Sequence, residues 1–162
     1  MAYAPERWHD LFVMLGGASA ALAGLVFVGL SIHARAVAVD PLYRRRARNL
    51  TAGILYLTVA SILVLMPGQS VRALGVELIV GGLAIGALFA EVPARFWAQL
   101  DTEMRIRMTL ATGACAASVY GGVSLAARSG GGLYVIAWSA IVGLAMNVFG
   151  AWSLLLGLAR ES

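Results

Sequence analysis

Five long apolar stretches, separated by short polar links, constrain this chain more than any other feature of its sequence. Crossing a hydrocarbon core about 30 Å thick takes roughly 20 residues of α-helix, and each stretch is about that long. A segment in lipid must satisfy its own backbone hydrogen bonds, so each stretch is predicted to be a helix. The sequence thus predicts an all-α transmembrane domain of residues 1–162, with helices at about 11–32, 42–66, 71–92, 104–127 and 133–158.

The composition argues against a soluble domain. Hydrophobic residues make up 60% of the chain and charged residues only 12%, about half the share usual in globular proteins. A net charge of +4 would suggest nucleic acid as a partner of a soluble protein. Here the arginines lie in the links, where topology and anionic lipids explain them, so no nucleic-acid partner is expected. The single Cys115 excludes a disulfide framework within the chain.

The arginines are distributed unequally between alternate links. Nine of the twelve lie in the first link, the third link and the C-terminal tail. Positive residues favour the cytoplasmic side, which predicts an outside N-terminus and a cytoplasmic C-terminus. The first link carries the residues expected to contact lipid headgroups at about 1 kcal/mol each, namely Arg44, Arg45, Arg46 and Arg48.

A secretory signal peptide is the alternative interpretation of the first stretch, because Ala34-Arg35-Ala36 resembles a cleavage site. The flank before the stretch lacks a net positive charge, which favours a retained helix.

In the third link, apolar residues at 97, 100, 104 and 108 share a helical face. That spacing predicts a cytoplasmic extension of helix four, with a binding surface as the alternative.

Rows of small residues predict where helices meet, since helices in lipid associate by close packing. A seven-residue spacing keeps such a row along one seam of a helix pair. One interpretation is packing within a single bundle, and the other is contact with a second subunit or another protein. Two rows have this spacing: Gly17, Gly24 and Ser31 on helix one, and Gly143, Gly150 and Gly157 on helix five. On helix three, Gly82, Gly86 and Ala90 form a row of small residues spaced by four.

Two polar residues at membrane depth are candidates for function. An ionisable residue there suggests a functional role, and Glu77 is expected to pair with Arg72 or Arg128. Asn147 lies near the middle of helix five and is expected to bond a hydroxyl on another helix, worth about 0.6–2 kcal/mol. Its expected partners are Ser19, Thr58, Ser61 and Ser118. Glu77 and Asn147 would also line the polar path of a pore.

No catalytic or metal-binding motif stands out in the sequence. His9 and Asp10 are adjacent, and neighbouring residues on a helix do not face each other. His9 and His33 are separated by roughly 36 Å of helix, so they cannot share a metal or haem within one chain. We therefore expect no enzymatic activity, no metal site and no cofactor.

The stretch from Trp8 to Ile32, which reads WHDLFVMLGGASAALAGLVFVGLSI, resembles the opening of a family of small bacterial membrane proteins. Some members are labelled modulators of the FtsH membrane protease. The resemblance implies a bacterial inner membrane and transfers no catalytic residue.

The predicted function is that of a non-enzymatic accessory or assembly subunit, packing with its own copies or with a larger membrane complex. An oligomeric ion pore or small-solute transporter is the first alternative. Modulation of a membrane protease is the second.

Overall fold

The computed structural model describes residues 4–89 and 102–159, and these residues form helices with no strand among them. A 3-10 turn, Pro5–Trp8, leads into the first helix. The α-helices are α1 (His9–Ile32), α2 (Ala34–Val39), α3 (Pro41–Leu65), α4 (Val71–Phe89), α5 (Thr102–Ala127) and α6 (Gly132–Ala159). All except α2 contain a window long and apolar enough to cross a membrane. The predicted all-α fold with five candidate spans is confirmed.

The sequence did not predict α2. At His33 the backbone leaves helical geometry (φ −104°, ψ 24°), and a six-residue helix follows before Asp40. Residues 90–101 lie outside the described part of the chain. So do Trp97 and most of the predicted cytoplasmic extension of helix four, as well as the tails at 1–3 and 160–162.

Two helices begin with a capping side chain. The Asp40 carboxylate accepts a hydrogen bond from the Leu42 N–H (2.7 Å), and Pro41 occupies the first helical position of α3. The Ser70 hydroxyl accepts one from the Ala73 N–H at the start of α4 (3.1 Å). Such caps satisfy backbone donors that have no partner inside the helix.

Helix α3 is central in the bundle, because it packs against α1, α2, α4 and α6. Helix α4 lies along α5, α5 packs on α6, and α6 also touches α1. The N-terminal ends of α1 and α6 meet where the Trp8 and Tyr134 rings make an edge-to-face contact, with centroids 4.7 Å apart. Both helices therefore begin at the same end of the bundle.

Two apolar clusters form the core, and α6 contributes to both. The first joins Phe12 and Leu15 of α1 to α3, α4 and α5, and contains Leu133, Ile136 and Ala140 of α6. The second lies toward the other end of the bundle. It consists of Val26, Tyr43, Ala47, Leu50, Ile54, Ala151, Leu154 and Leu158.

The outer surface of the bundle is apolar. Only 17% to 39% of each spanning window is buried inside the protein. Large side chains such as Phe27, Trp138 and Trp152 are each about two-thirds exposed or more (73%, 67% and 66%). Contiguous apolar surface on this scale needs lipid around it rather than water. The chain is therefore a multi-pass membrane protein.

Candidate functional site: helix seams and polar clusters

Helices α4 and α5 approach each other closely at a pair of glycines. A Cβ atom added to Gly75 would lie 2.6 Å from the Gly122 carbonyl oxygen, and one added to Gly122 would lie 2.7 Å from the Gly75 carbonyl oxygen. Since a real Cβ essentially never comes this close to a backbone atom, only glycine fits at either position. The sequence prediction missed this pair. The available signal was the spacing of Gly75, seven residues before Gly82.

The predicted glycines of α4 face the same seam. A Cβ on Gly82 would lie 2.8 Å from Cγ2 of Val119, so Gly82 is tightly packed. A Cβ on Gly86 would lie 3.8 Å from the Cβ of Cys115, which is an ordinary contact. The Cys115 thiol itself is buried at this seam.

The glycine row of α6 faces α3. A Cβ on Gly143 would lie 3.4 Å from Leu57 Cδ2, and one on Gly157 would lie 3.1 Å from the Tyr43 hydroxyl oxygen. Gly150, between them, is half-buried. These glycines let the α6 backbone lie close to the large side chains of α3.

The row of α1 points away from the bundle. Gly17, Gly24 and Ser31 are all exposed. A Cβ on either glycine would meet no described atom within 4 Å. Within one chain these residues therefore do not pack helices together, and their role toward another molecule stays a prediction. Helix α1 packs through a different face, which carries Phe12, Leu15, Gly16, Ser19 and Val26.

Hydroxyl groups join the helices at membrane depth. Thr58 of α3 donates to the Ser19 hydroxyl of α1 at 3.1 Å. Tyr56 of α3 shares a hydrogen bond with Ser118 of α5. The Ser61 hydroxyl donates to the carbonyl of Leu57, one turn earlier in its own helix (2.8 Å). The four hydroxyls expected to serve Asn147 are therefore bonded elsewhere.

Asn147 bonds its own helix rather than another, so the expected interhelical bond is wrong. Its Nδ2 donates to the Gly143 carbonyl oxygen at 2.9 Å. Its Oδ1 lies against Gly53 of α3, where an added Cβ would be only 2.7 Å away. Asn147 therefore contacts α3 by close packing against Gly53 and not by a hydrogen bond.

Glu77 is half-buried near the start of α4 and accepts a hydrogen bond from the Gln69 amide. Among the described residues this amide is its partner, instead of the expected Arg72 or Arg128. Glu77 and Asn147 have separate surroundings, the former against Gln69 and the latter against Gly53. The structure therefore does not bring the two predicted polar-path residues together in one chain.

The histidines lie at opposite ends of α1. His9 and Asp10 are exposed, and His33 Nδ1 lies 3.1 Å from the Gly29 carbonyl oxygen where α1 ends. Within residues 4–89 and 102–159, no group of three His, Cys, Asp or Glu side chains could hold a metal ion.

The arginines at the start of α3 differ in solvent exposure. Arg44 and Arg48 are exposed, whereas Arg45 and Arg46 are half-buried. Nη2 of Arg45, Nε of Arg46 and Oδ1 of Asn49 are enclosed by protein and have no hydrogen-bond partner among the described residues. The sequence predicted the arginines as lipid contacts but did not single out Asn49.

No family model matches this chain, and neither does any curated protein or solved structure. The resemblance of α1 to the family that includes FtsH modulators stays a prediction.

Proposed function

We propose that this chain is a non-enzymatic membrane subunit that acts by lateral association of α1 with another transmembrane helix. The observation that carries the proposal is the outward-facing row of Gly17, Gly24 and Ser31. In α4 and α6, glycine rows of the same kind lie against a neighbouring helix of the bundle. The row of α1 has the same seven-residue spacing as the row of α6, and no described residue covers its glycines.

Close packing is the main force available for such association, because leucine and lipid tails are equally apolar. A row of small residues lets a second backbone approach closely along its whole length. Two copies inserted in the same orientation bring two α1 helices together in parallel. A two-fold pair is the simplest closed arrangement, since the same surface then serves both partners. A helix of a larger membrane complex, including a membrane protease, is the second occupant we consider.

The proposed setting is the bacterial inner membrane, with the N-terminus outside and the arginine-rich links in the cytoplasm. Anionic lipids are the expected neighbours of the exposed Arg44 and Arg48. A pore through one chain has less support. The hydroxyls of Tyr56, Thr58 and Ser61 are bonded to protein groups, as is Asn147, and Glu77 lies in other surroundings.

The test compares two substitutions of glycines whose Cβ position is open space. Gly24 lies on the proposed seam and Gly113 lies on the exposed side of α5. Energy transfer between differently labelled copies is measured in liposomes over a range of protein-to-lipid ratios. We expect Gly24→Ile to weaken association at least about tenfold and Gly113→Ile to leave it unchanged.

If the wild-type chain is purified from its native membrane with a stoichiometric partner that Gly24→Ile releases, association with a larger complex is supported. Equal association of all three proteins would contradict the proposal. So would a wild-type protein that is monomeric and has no partner. Ion flux in proteoliposomes that disappears on Asn147→Leu would favour the pore instead.

A further inference from the structure

An open groove lies beside the break between α1 and α2. Its volume is about 390 Å³, and its lining consists of Ile32, His33, Arg35, Ala36 and Val39. Backbone hydrogen bonds continue across the break, from the His33 N–H to the Gly29 carbonyl oxygen (3.4 Å) and from the Val37 N–H to the His33 carbonyl oxygen (3.1 Å). The His33 ring is also held there, with Nδ1 3.1 Å from the Gly29 carbonyl oxygen. One wall of the groove is therefore fixed in position.

Helix α2 has one packed side and one open side. It packs on α3, and Ala36 and Val37 contact the second apolar cluster. On the open side Arg35 is exposed, and the side chains of Ile32 and Val39 are 74% and 76% exposed. Residues three and four apart are neighbours on a helix surface, so Arg35 lies between the two apolar side chains. The groove thus presents a guanidinium group flanked by hydrocarbon.

The groove lies at the boundary of the membrane. Ile32 ends the first candidate span and Pro41 begins the second. Arg35 gives the groove a positive charge, and none of its five lining residues is acidic. The acid nearest in sequence, Asp40, accepts a hydrogen bond from the Leu42 N–H. In charge and hydropathy the groove is therefore complementary to an anionic amphiphile.

We propose that this groove binds one anionic phospholipid, with the phosphate on Arg35 and the apolar part of the lipid against Ile32 and Val39. A guanidinium group suits phosphate oxygens in charge and geometry. Diffuse attraction between arginines and anionic lipids requires no particular site. The groove differs because it predicts a single saturable site that needs both a charge and apolar contacts. The proposal does not depend on association through α1.

The charge is tested by native mass spectrometry of the full chain in detergent micelles, with phosphatidylglycerol as the titrated lipid. We expect Arg35→Gln to weaken the tightest binding step about tenfold. The matched control is Arg44→Gln, which removes another exposed arginine of the same link, and we expect a loss of less than about threefold. Equal losses in the two variants would show that diffuse charge is sufficient and would overturn the proposal.

The apolar contacts are tested by Ile32→Ser/Val39→Ser, which leaves the charge of the groove unchanged. We expect this double variant to weaken phosphatidylglycerol binding at least about fivefold. Val28→Ser is its control, because Val28 is also exposed (57%) but does not line the groove, and binding should match that of the wild type. Wild-type affinity in the double variant would contradict the proposed site.

A soluble phosphate ester shares the headgroup chemistry and is the other possible source of the ligand. Glycerol 3-phosphate is therefore titrated under the same conditions in place of phosphatidylglycerol. We expect no saturable binding, because this ester has no acyl chain to contact Ile32 and Val39. Saturation that Arg35→Gln abolishes would assign the groove to a soluble ester and reject the lipid.

Discussion

Replacing Gly75 with alanine should separate α4 from α5. The new Cβ would lie 2.6 Å from the Gly122 carbonyl oxygen and 3.0 Å from the Ala126 backbone nitrogen. Both atoms belong to the backbone, so no side-chain rotation relieves the clash. The helices must move apart, and that movement loosens the contacts of Gly82 with Val119 along the same seam.

The expected cost follows from two opposing terms. A gap of 0.5–1 Å forfeits about a quarter to a half of each dispersion contact along the seam, and overpacking typically costs about 1–3 kcal/mol. Alanine stabilises a helix relative to glycine by up to about 1 kcal/mol. We therefore expect Gly75→Ala to lower the free energy of unfolding by about 1–2 kcal/mol.

The assay is reversible unfolding by sodium dodecyl sulfate in mixed micelles, followed by far-ultraviolet circular dichroism. The matched control is Gly113→Ala, on the same helix as Gly122, where an added Cβ meets no described atom within 4 Å. We expect the control to be neutral or stabilising by up to about 1 kcal/mol. Equal stability of the two variants would refute the inference that this seam admits only glycine.

Two further outcomes are expected. Gly53→Ala should destabilise the protein because its Cβ would lie 2.7 Å from Asn147 Oδ1, and Asn147→Ala should relieve much of that cost; additive effects in the double-mutant cycle would show that the two side chains do not meet. With Cys115 replaced by alanine, single cysteines at the exposed positions of Arg7 and Arg44 should react with an impermeant maleimide from opposite faces of the membrane. Labelling of both from one face would reject the proposed orientation.

The sequence predicted the spans because lipid imposes strong rules on length, hydropathy and backbone hydrogen bonding. Those rules act locally, so each span could be recognised without knowledge of the tertiary structure. The break at His33 had no comparable signal, because the residue there is neither glycine nor proline. The short helix α2 consequently went unpredicted.

The glycine rows show the limit of spacing as a guide to packing. Gly17 and Gly24 on α1 have the same spacing as Gly150 and Gly157 on α6, yet the first pair faces outward. In lipid both sides of a helix are apolar, so hydropathy does not reveal which side turns inward. It is Gly16, beside the predicted residue, that packs on α3.

Polar partners could not be assigned for a related reason. The sequence places Asn147 and several hydroxyls at similar depth but does not show which helices are neighbours. A bond within its own helix at Gly143 was as compatible with the sequence as one between helices. The sequence likewise does not show that polar atoms of Arg45, Arg46 and Asn49 are enclosed without a hydrogen-bond partner among the described residues.

The place of α6 in both core clusters has a consequence for biosynthesis. This helix leaves the ribosome after α1–α5, yet Leu133 and Ile136 complete the first cluster, and Leu154 and Leu158 complete the second. Until it inserts, the nascent chain exposes the surface of α3 that α6 later covers. Such a surface is open to wrong partners during synthesis. A chain truncated before Gly132 would therefore remain an incomplete bundle, recognisable to membrane quality control.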